Sequence, residues 1–397
     1  MPLQFSDRSD LFLFDSHSRE YTGAARTGET LRRLRSHYTE ARPNMPMSLR
    51  LRSLLFLVVF VAVATPAQQN APRPPQVPDD GKMQIDVVVA PKSSIPVEGL
   101  RQQDFTLLDN KSAVPIAGFQ VFTGRQASLE IVVVLDAVNV GDLGVNVQHE
   151  AIDRFLRTEG GRLPYPVALA VFTEGGLEIV GNFSLDGNSL ASALDKYKPG
   201  TRAVGAASGR NGADERWLLS QNALRALVAS VAPHHRRKII LWISPGWSDL
   251  PGLSAQIADK QQQQLFGDVV TMSAQFAKAR VTLYSIDPVG AAESAATYTY
   301  YQQFLDPVTK LSQVDVADLG LPVLAIQSGG LALHSSNDIA ESLQQCVSDA
   351  LPFYEIAFDA AAADHPNEFH RLEVQLKTPG LTARTRQGYY AQPTARK

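Results

Sequence analysis

The pattern of apolar and polar positions changes texture twice along the chain. From Leu129 to Leu135 the run Leu-Glu-Ile-Val-Val-Val-Leu is nearly unbroken, the pattern of a strand buried on both faces. Runs of similar character occur at 167–173, 177–183, 238–243, 281–286 and 331–334. Between them apolar residues recur every three or four positions: Ile152, Phe155 and Leu156; Trp217, Leu224, Leu227, Val228 and Val231; Leu265, Val269, Met272, Phe276 and Ala279; Ile339, Leu343, Cys346 and Val347. That period is helical. Strands alternating with amphipathic helices predict an α/β domain, a doubly wound, mostly parallel open sheet of Rossmann-like construction with helices on both faces. The link from Thr173 to Leu177, with Gly175 and Gly176, is too short for a crossover. It suits a hairpin, and one strand is expected to run antiparallel at the edge.

On either side the texture is that of short strands. Met83–Val89, Phe105–Leu108 and Ile116–Val121 precede the α/β region, with a turn signal at Asp109-Asn110-Lys111; Tyr354–Phe358, Arg371–Leu376 and Leu381–Thr385 follow it. Neither flank holds enough apolar surface for its own core, so the two are expected to pack into one small β module. The resulting division is a leader over 1–67, a stiff Pro-rich linker over 68–80 with Pro72, Pro74, Pro75 and Pro78, an N-terminal β segment over 81–125, the α/β domain over 126–350 and a C-terminal β segment over 351–397.

The leader has chemistry of its own. Arg50 and Arg52 precede eleven unbroken apolar residues, Leu54–Ala64, and Thr65-Pro66-Ala67 places small residues at the cleavage positions. This reads as a secretory signal peptide, and the run is short for a bilayer span, the rival reading being an uncleaved membrane anchor. Because such a signal starts a protein, Met45 or Met47 is the expected start, and residues 1–44 a mis-assigned extension. The expected location is secreted, periplasmic or at the cell envelope, with membrane contact only through the export signal.

Composition narrows the function. Thirty-seven Lys and Arg against 40 Asp and Glu leave a net charge of −3, which gives no nucleic-acid surface. The basic cluster His234-His235-Arg236-Arg237-Lys238 reads as a solvated loop before a strand. Cys346 is the single cysteine, which excludes an internal disulfide and a four-thiolate zinc site.

Taken in order, the strand motifs resemble the von Willebrand factor type A domain: Ile131-Val-Val-Val-Leu-Asp136, Val167–Thr173, Lys238–Ser244 followed by Gly246, Val281–Asp287, and Gly329-Gly330 before Leu331-Ala-Leu333. With Val97-Glu-Gly-Leu100, Asp104-Phe105, Leu108, Tyr354 and the closing Gly388-Tyr-Tyr-Ala391, the chain is similar to the VWFA-related domain family of secreted acidobacterial proteins. The resemblance covers residues 83–392. It implies a binding or adhesion role and a metal-ion-dependent adhesion site opening with Asp-x-Ser-x-Ser. Here that motif reads Asp136-Ala-Val138-Asn-Val140. Valine offers no oxygen where Mg²⁺ needs six hard ligands. Thr201 would match the second-loop threonine, and Asp249 lies beyond the expected aspartate. The site is therefore degenerate, with Asp136, Thr201 and Asp249 as candidate ligands of Mg²⁺. Asp136, Asn139, Asp142 and Asp249 are candidate ligand-binding residues at the carboxyl end of the sheet, where open α/β folds meet their ligands. Their bland reading is a helix cap or turn for Asp136, and polar loop residues for the rest.

Other groupings are weaker. Tyr298, Tyr300, Tyr301 and Phe304 lie in a long connection, an interface or a lid burying its own rings. Asp364, His365, Glu368 and His370 are loosely spaced and read as a polar turn. No nucleophile elbow, phosphate loop or His-Glu-x-x-His is present, so no enzyme is expected. The favoured function is an exported module that binds a protein or an envelope or matrix component, without a required cofactor. A Mg²⁺-dependent adhesin and a hydrolase on the same sheet are the alternatives. If the leader is a signal peptide, N-terminal sequencing of the chain recovered after export in a bacterial host will begin at Gln68, whereas an uncleaved anchor will retain the apolar run in the membrane fraction.

Overall fold

Strand β5, Leu129–Asp136, is buried at all eight positions and sits inside a six-stranded sheet. The computed structural model describes residues 82–91, 97–196, 209–247, 259–289, 297–334 and 336–393, all within one compact unit, Asn70–Lys397. Beside β5 lie β6 (Arg162–Thr173) on one side and β8 (Arg237–Ile243) on the other, both parallel to it; β9 (Val281–Ile286) and β10 (Ala332–Leu333) continue the sheet beyond β8. β7 (Gly176–Asp186) folds back against β6 as the antiparallel edge. The order β10-β9-β8-β5-β6-β7 makes β5 the point from which the chain winds first to one side and then to the other.

The alternation within β5 assigns the two layers. Ile131, Val133 and Leu135 face α1 (Asp142–Leu156), α2 (Gly187–Lys196) and α6 (Ile339–Asp349). Val132 and Val134 face α3 (Gly209–Val231), α4 (Asp259–Ala279) and α5 (Leu321–Gln327). This is the doubly wound, mostly parallel sheet the sequence predicts. The strand expected over 331–334 shrinks to two residues. Its glycine pair has a steric reason: a Cβ on Gly330 would lie 1.8 Å from the Leu283 carbonyl oxygen, and Gly329 has φ of +91°.

The flanks interleave. β1 (Met83–Pro91) lies between β11 (Phe353–Phe358) and β13 (Leu381–Arg384), with β4 (Gly118–Phe122) outside β11. The second sheet is β14 (Gly388–Ala391), β12 (Glu368–Leu376), β2 (Phe105–Asp109) and β3 (Ser112–Val114). Val87, Val89, Phe105, Leu107, Tyr354, Ile356, Leu372 and Val374 share one core between the sheets. Each sheet draws strands from both ends of the chain, with the whole α/β domain lying between them in sequence.

Two expectations about charged residues fail here. Arg237 and Lys238 are not in a solvated loop: they are the first residues of β8 and both are buried. The Arg237 guanidinium lies 4.5 Å from the centre of the Phe353 ring, and its Nη1 donates to the Ala350 carbonyl at 2.6 Å. Burial pulls the Lys238 ammonium down to about 8. Nor is His370 in a turn. It is buried in β12, with Nδ1 2.7 Å from Asp109 Oδ1, and the Tyr389 hydroxyl donates to Asp109 Oδ2 at 2.6 Å.

Arg280, between α4 and β9, ties the two parts together. It pairs with Asp86 of β1 at 2.6 Å and with Glu355 of β11. Both carboxylates are nearly buried, so removing the arginine leaves Glu355 without a cation and Asp86 with only Arg237, 3.7 Å away. Arg280→Ala is expected to lose about 3–5 kcal/mol in a urea titration, and the triple variant with Asp86→Asn and Glu355→Gln to recover part of it.

Candidate functional site

Asp136 is the last residue of β5 and has no exposed surface. Its position at the carboxyl end of the strand where the winding direction reverses is where open α/β sheets place ligand sites. Burying a lone carboxylate is costly unless its lone pairs are filled. Here they are filled from inside. Oδ1 accepts the backbone N–H groups of Val138 and Asn139, both at 2.9 Å. Oδ2 accepts the Asn139 side-chain amide at 2.8 Å and the indole Nε1–H of Trp242 at 3.1 Å. The Asp136 backbone is held by Gln148 of α1, whose Oε1 accepts its N–H at 2.9 Å and whose Nε2 donates to its carbonyl at 3.0 Å. Burial pushes the Asp136 carboxyl above its ordinary range, and bonds from Asn139, Trp242 and Ser244 pull the other way.

Neighbouring elements brace this arrangement. Trp242 is fully buried in β8, opposite Val134, with Phe172 and Trp247 packed edge-on at 5.8 and 5.6 Å. The Asn139 amide also donates to Ser220 Oγ of α3 at 3.0 Å. Its own Oδ1 is buried without a partner. Flipping the amide would set that oxygen against Asp136 Oδ2, so the carboxylate dictates its orientation.

Of the residues expected at this site, Asp136 and Asn139 come together. The reading of Asp136 as a hydrogen-bonding turn residue matches its geometry: the 138–139 turn donates to Oδ1, and Trp242 closes over Oδ2. Asp142 opens α1 behind its N-cap Gly141, and its side chain lies outside the described residues, as do Thr201 and Asp249. The described part of the site does not fit a divalent cation: both oxygens of Asp136 face N–H donors, and Val138 and Val140 supply no ligand where hydroxyls are implied. Among the described residues no three His, Cys, Asp or Glu side chains gather as a metal cluster.

Sequence reasoning passed over Gln148, Ser220 and Trp242. Gln148 had a signal: it occupies a position on α1 in step with Val145, Ala151 and Ile152, where the helical period calls for an apolar residue, and it is completely buried. Trp242 had none, since an aromatic residue in a buried strand reads as core.

The connection after β9 packs over the turn beyond Trp242. Tyr301, Ala317 and Val323 form a small core with Trp217, Tyr300, Phe304, Leu305 and Val316. The Tyr301 ring lies against Gly246 and Gly320, where a Cβ would come within 3.4 Å and 2.4 Å of it. Gln221 of α3 donates to the Leu319 carbonyl at 2.8 Å. Tyr298 stacks on His334 with ring centres 3.7 Å apart.

No family model and no curated protein matches the chain. Among solved structures it is similar to the human COPII-coat protein Sec24c, at 9% identity over 69% of this chain and 44% of that one, with a TM-score of 0.32. It is also similar to the conserved hypothetical protein BatB from Bacteroides thetaiotaomicron, at 14% identity over 56% and 98%, TM-score 0.32. A third is the manganese-loaded TRAP protein of Plasmodium vivax, at 8% identity over 70% and 98%, TM-score 0.30. The chain spans less than half the length of the Sec24c chain. Likeness at these scores carries no residue role from those proteins to this one.

Asp318, in the same connection, gives a pH test. Burial pushes its carboxyl up to about 7, aided by the neighbouring Asp315 charge and opposed by the Asp315 N–H. The folded state therefore holds this proton more tightly than the unfolded chain. Its contribution is full below the unfolded value near 3.8 and is lost as pH rises toward 7. Asp318→Asn removes that slope. In urea titrations the variant should gain stability relative to wild type between pH 5 and pH 8.

Proposed function

We propose that this chain is an exported protein-interaction module, and that it meets its partner with the surface around the carboxyl end of β5 and the start of α1. The observation that carries the reading is the apolar face of α1 beside the Asp136–Asn139 turn. Leu143 is 83% exposed and Val147 is 48% exposed, one helical turn apart. Residues at this spacing share a face, and together they offer an apolar contact that a partner can cover.

The same end of the sheet argues against catalysis. A general acid or base must reach the proton it moves, whereas the Asp136 carboxylate is enclosed and its lone pairs are occupied. Two shallow depressions among the described residues lie elsewhere. One is lined by Asn188, Ser189, Ser192, Ala193 and Lys196 of α2, and the other by residues of the β module around Phe105 and Val114. Neither joins an acid to a base. Export rests on the basic, apolar and small-residue order of the leader, and the likeness to secreted VWFA-related proteins rests on the order of strand motifs. Among the described residues no helix is long and apolar enough to cross a membrane.

Burying a leucine in an interface contributes about 1.5–3 kcal/mol, a tenfold or greater change in Kd. Chemical cross-linking and pull-down from the native envelope should therefore recover a protein with the wild-type chain and lose it with Leu143→Glu or Val147→Glu. Circular dichroism of both variants should match wild type, since neither side chain contributes to the core. Undiminished recovery with both variants would place the contact elsewhere.

A further inference from the structure

Asp136 sits where the type A resemblance implies a cation, yet its oxygens are already engaged by hydrogen bonds. We propose that the Trp242 indole and the Asn139 amide do the work of a divalent ion at this position, so that this end of the sheet is assembled without metal.

The argument is one of valence and geometry. An ionised carboxylate offers about four lone-pair sites. Val138, Asn139 twice and Trp242 supply four N–H donors at 2.8–3.1 Å. An indole N–H donates and cannot ligate a metal, so a cation sharing Oδ2 would have to displace it. Displacement is opposed by packing. The ring is wholly buried between Phe172 and Trp247, and its backbone is fixed by the register Val134↔Trp242 and Trp242↔Ser285 on its two sides. Asn139 is secured by Ser220 from α3. A metal site links loops through an ion. Here the same carboxylate joins β8 through Trp242 and, by way of Asn139, α3 through Ser220. The inference stands apart from the partner contact at Leu143 and Val147, and a failure there leaves it intact.

The test is isothermal titration of MgCl₂ and of MnCl₂ into the full chain, with melting curves in excess metal and in EDTA. The proposal expects no saturable heat and one melting temperature in all conditions. Trp242→Phe deletes the N–H together with part of a buried ring, so the cycle with Asp136→Asn separates the hydrogen bond from the lost packing. Trp242→Phe alone is expected to lower the melting temperature by roughly 3–10 °C. Asp136→Asn should cost less in that background than in wild type, because the two residues share one interaction. A one-to-one heat abolished by Asp136→Asn, a wild-type melting temperature that rises with metal, or a Trp242→Phe chain as stable as wild type would each overturn the proposal. Should Trp242→Phe fail to fold, the wild-type titration decides alone.

Discussion

A carboxylate buried at the end of the central strand is the constraint around which the α/β domain is organised. Every residue of β5 is buried, and the last of them carries a carboxyl group. An isolated anion in such a place is strongly unfavourable, and its neighbours donate hydrogen bonds to it. Gln148 of α1 holds its backbone, the following turn folds back on Oδ1, and Asn139 and Trp242 meet on Oδ2. One residue, through its backbone and its carboxylate, thereby joins the first strand of the domain, its first helix, the turn between them and the strand across the reversal point. The result is a closed end of the sheet whose outer face is shaped by α1.

The same rule of pairing buried charges joins the β module to the α/β domain. Arg280 reaches Asp86 and Glu355, while Arg237 covers Phe353 and caps the Ala350 carbonyl. Arg384 of β13 pairs with Asp349 at the end of α6 and donates to the Gly329 carbonyl at 2.8 Å. The Tyr284 hydroxyl donates to Asp349 as well, at 2.8 Å. Arg386 donates to the Ser273 carbonyl of α4 at 3.0 Å. The guanidinium groups do this well because their planar forks satisfy carboxylates and carbonyls together. Strands from both ends of the chain interleave in each small sheet, and Leu143 at the start of α1 is left exposed.

The architecture was legible because burial on two faces leaves a simple mark. Leu129–Leu135 could only be an interior strand, and Gly175-Gly176 could only close a hairpin. Short elements escaped: α2 follows β7 without a break, and α5 is a seven-residue helix inside what reads as a long loop. The interleaving of β1 with β11 and β13 was beyond periodicity, which reports a strand's faces and not its neighbours. At the site, valine at 138 and 140, where the type A resemblance implies hydroxyls, was visible. The compensating donor was not, because Trp242 and a purely structural tryptophan have the same local pattern. Arg237, Lys238 and His370 were misread for a related reason: polar residues look solvated until their buried partners, distant in sequence, are known.

The most direct measurement is the indole N–H resonance of Trp242 in ¹⁵N-tryptophan-labelled protein, assigned among the three tryptophans with the Trp242→Phe variant. A hydrogen bond to a buried carboxylate predicts a downfield proton that exchanges slowly with solvent and is neither moved by Mg²⁺ nor broadened by Mn²⁺. A resonance that exchanges freely, or one that Mn²⁺ erases at stoichiometric concentration, would contradict the account.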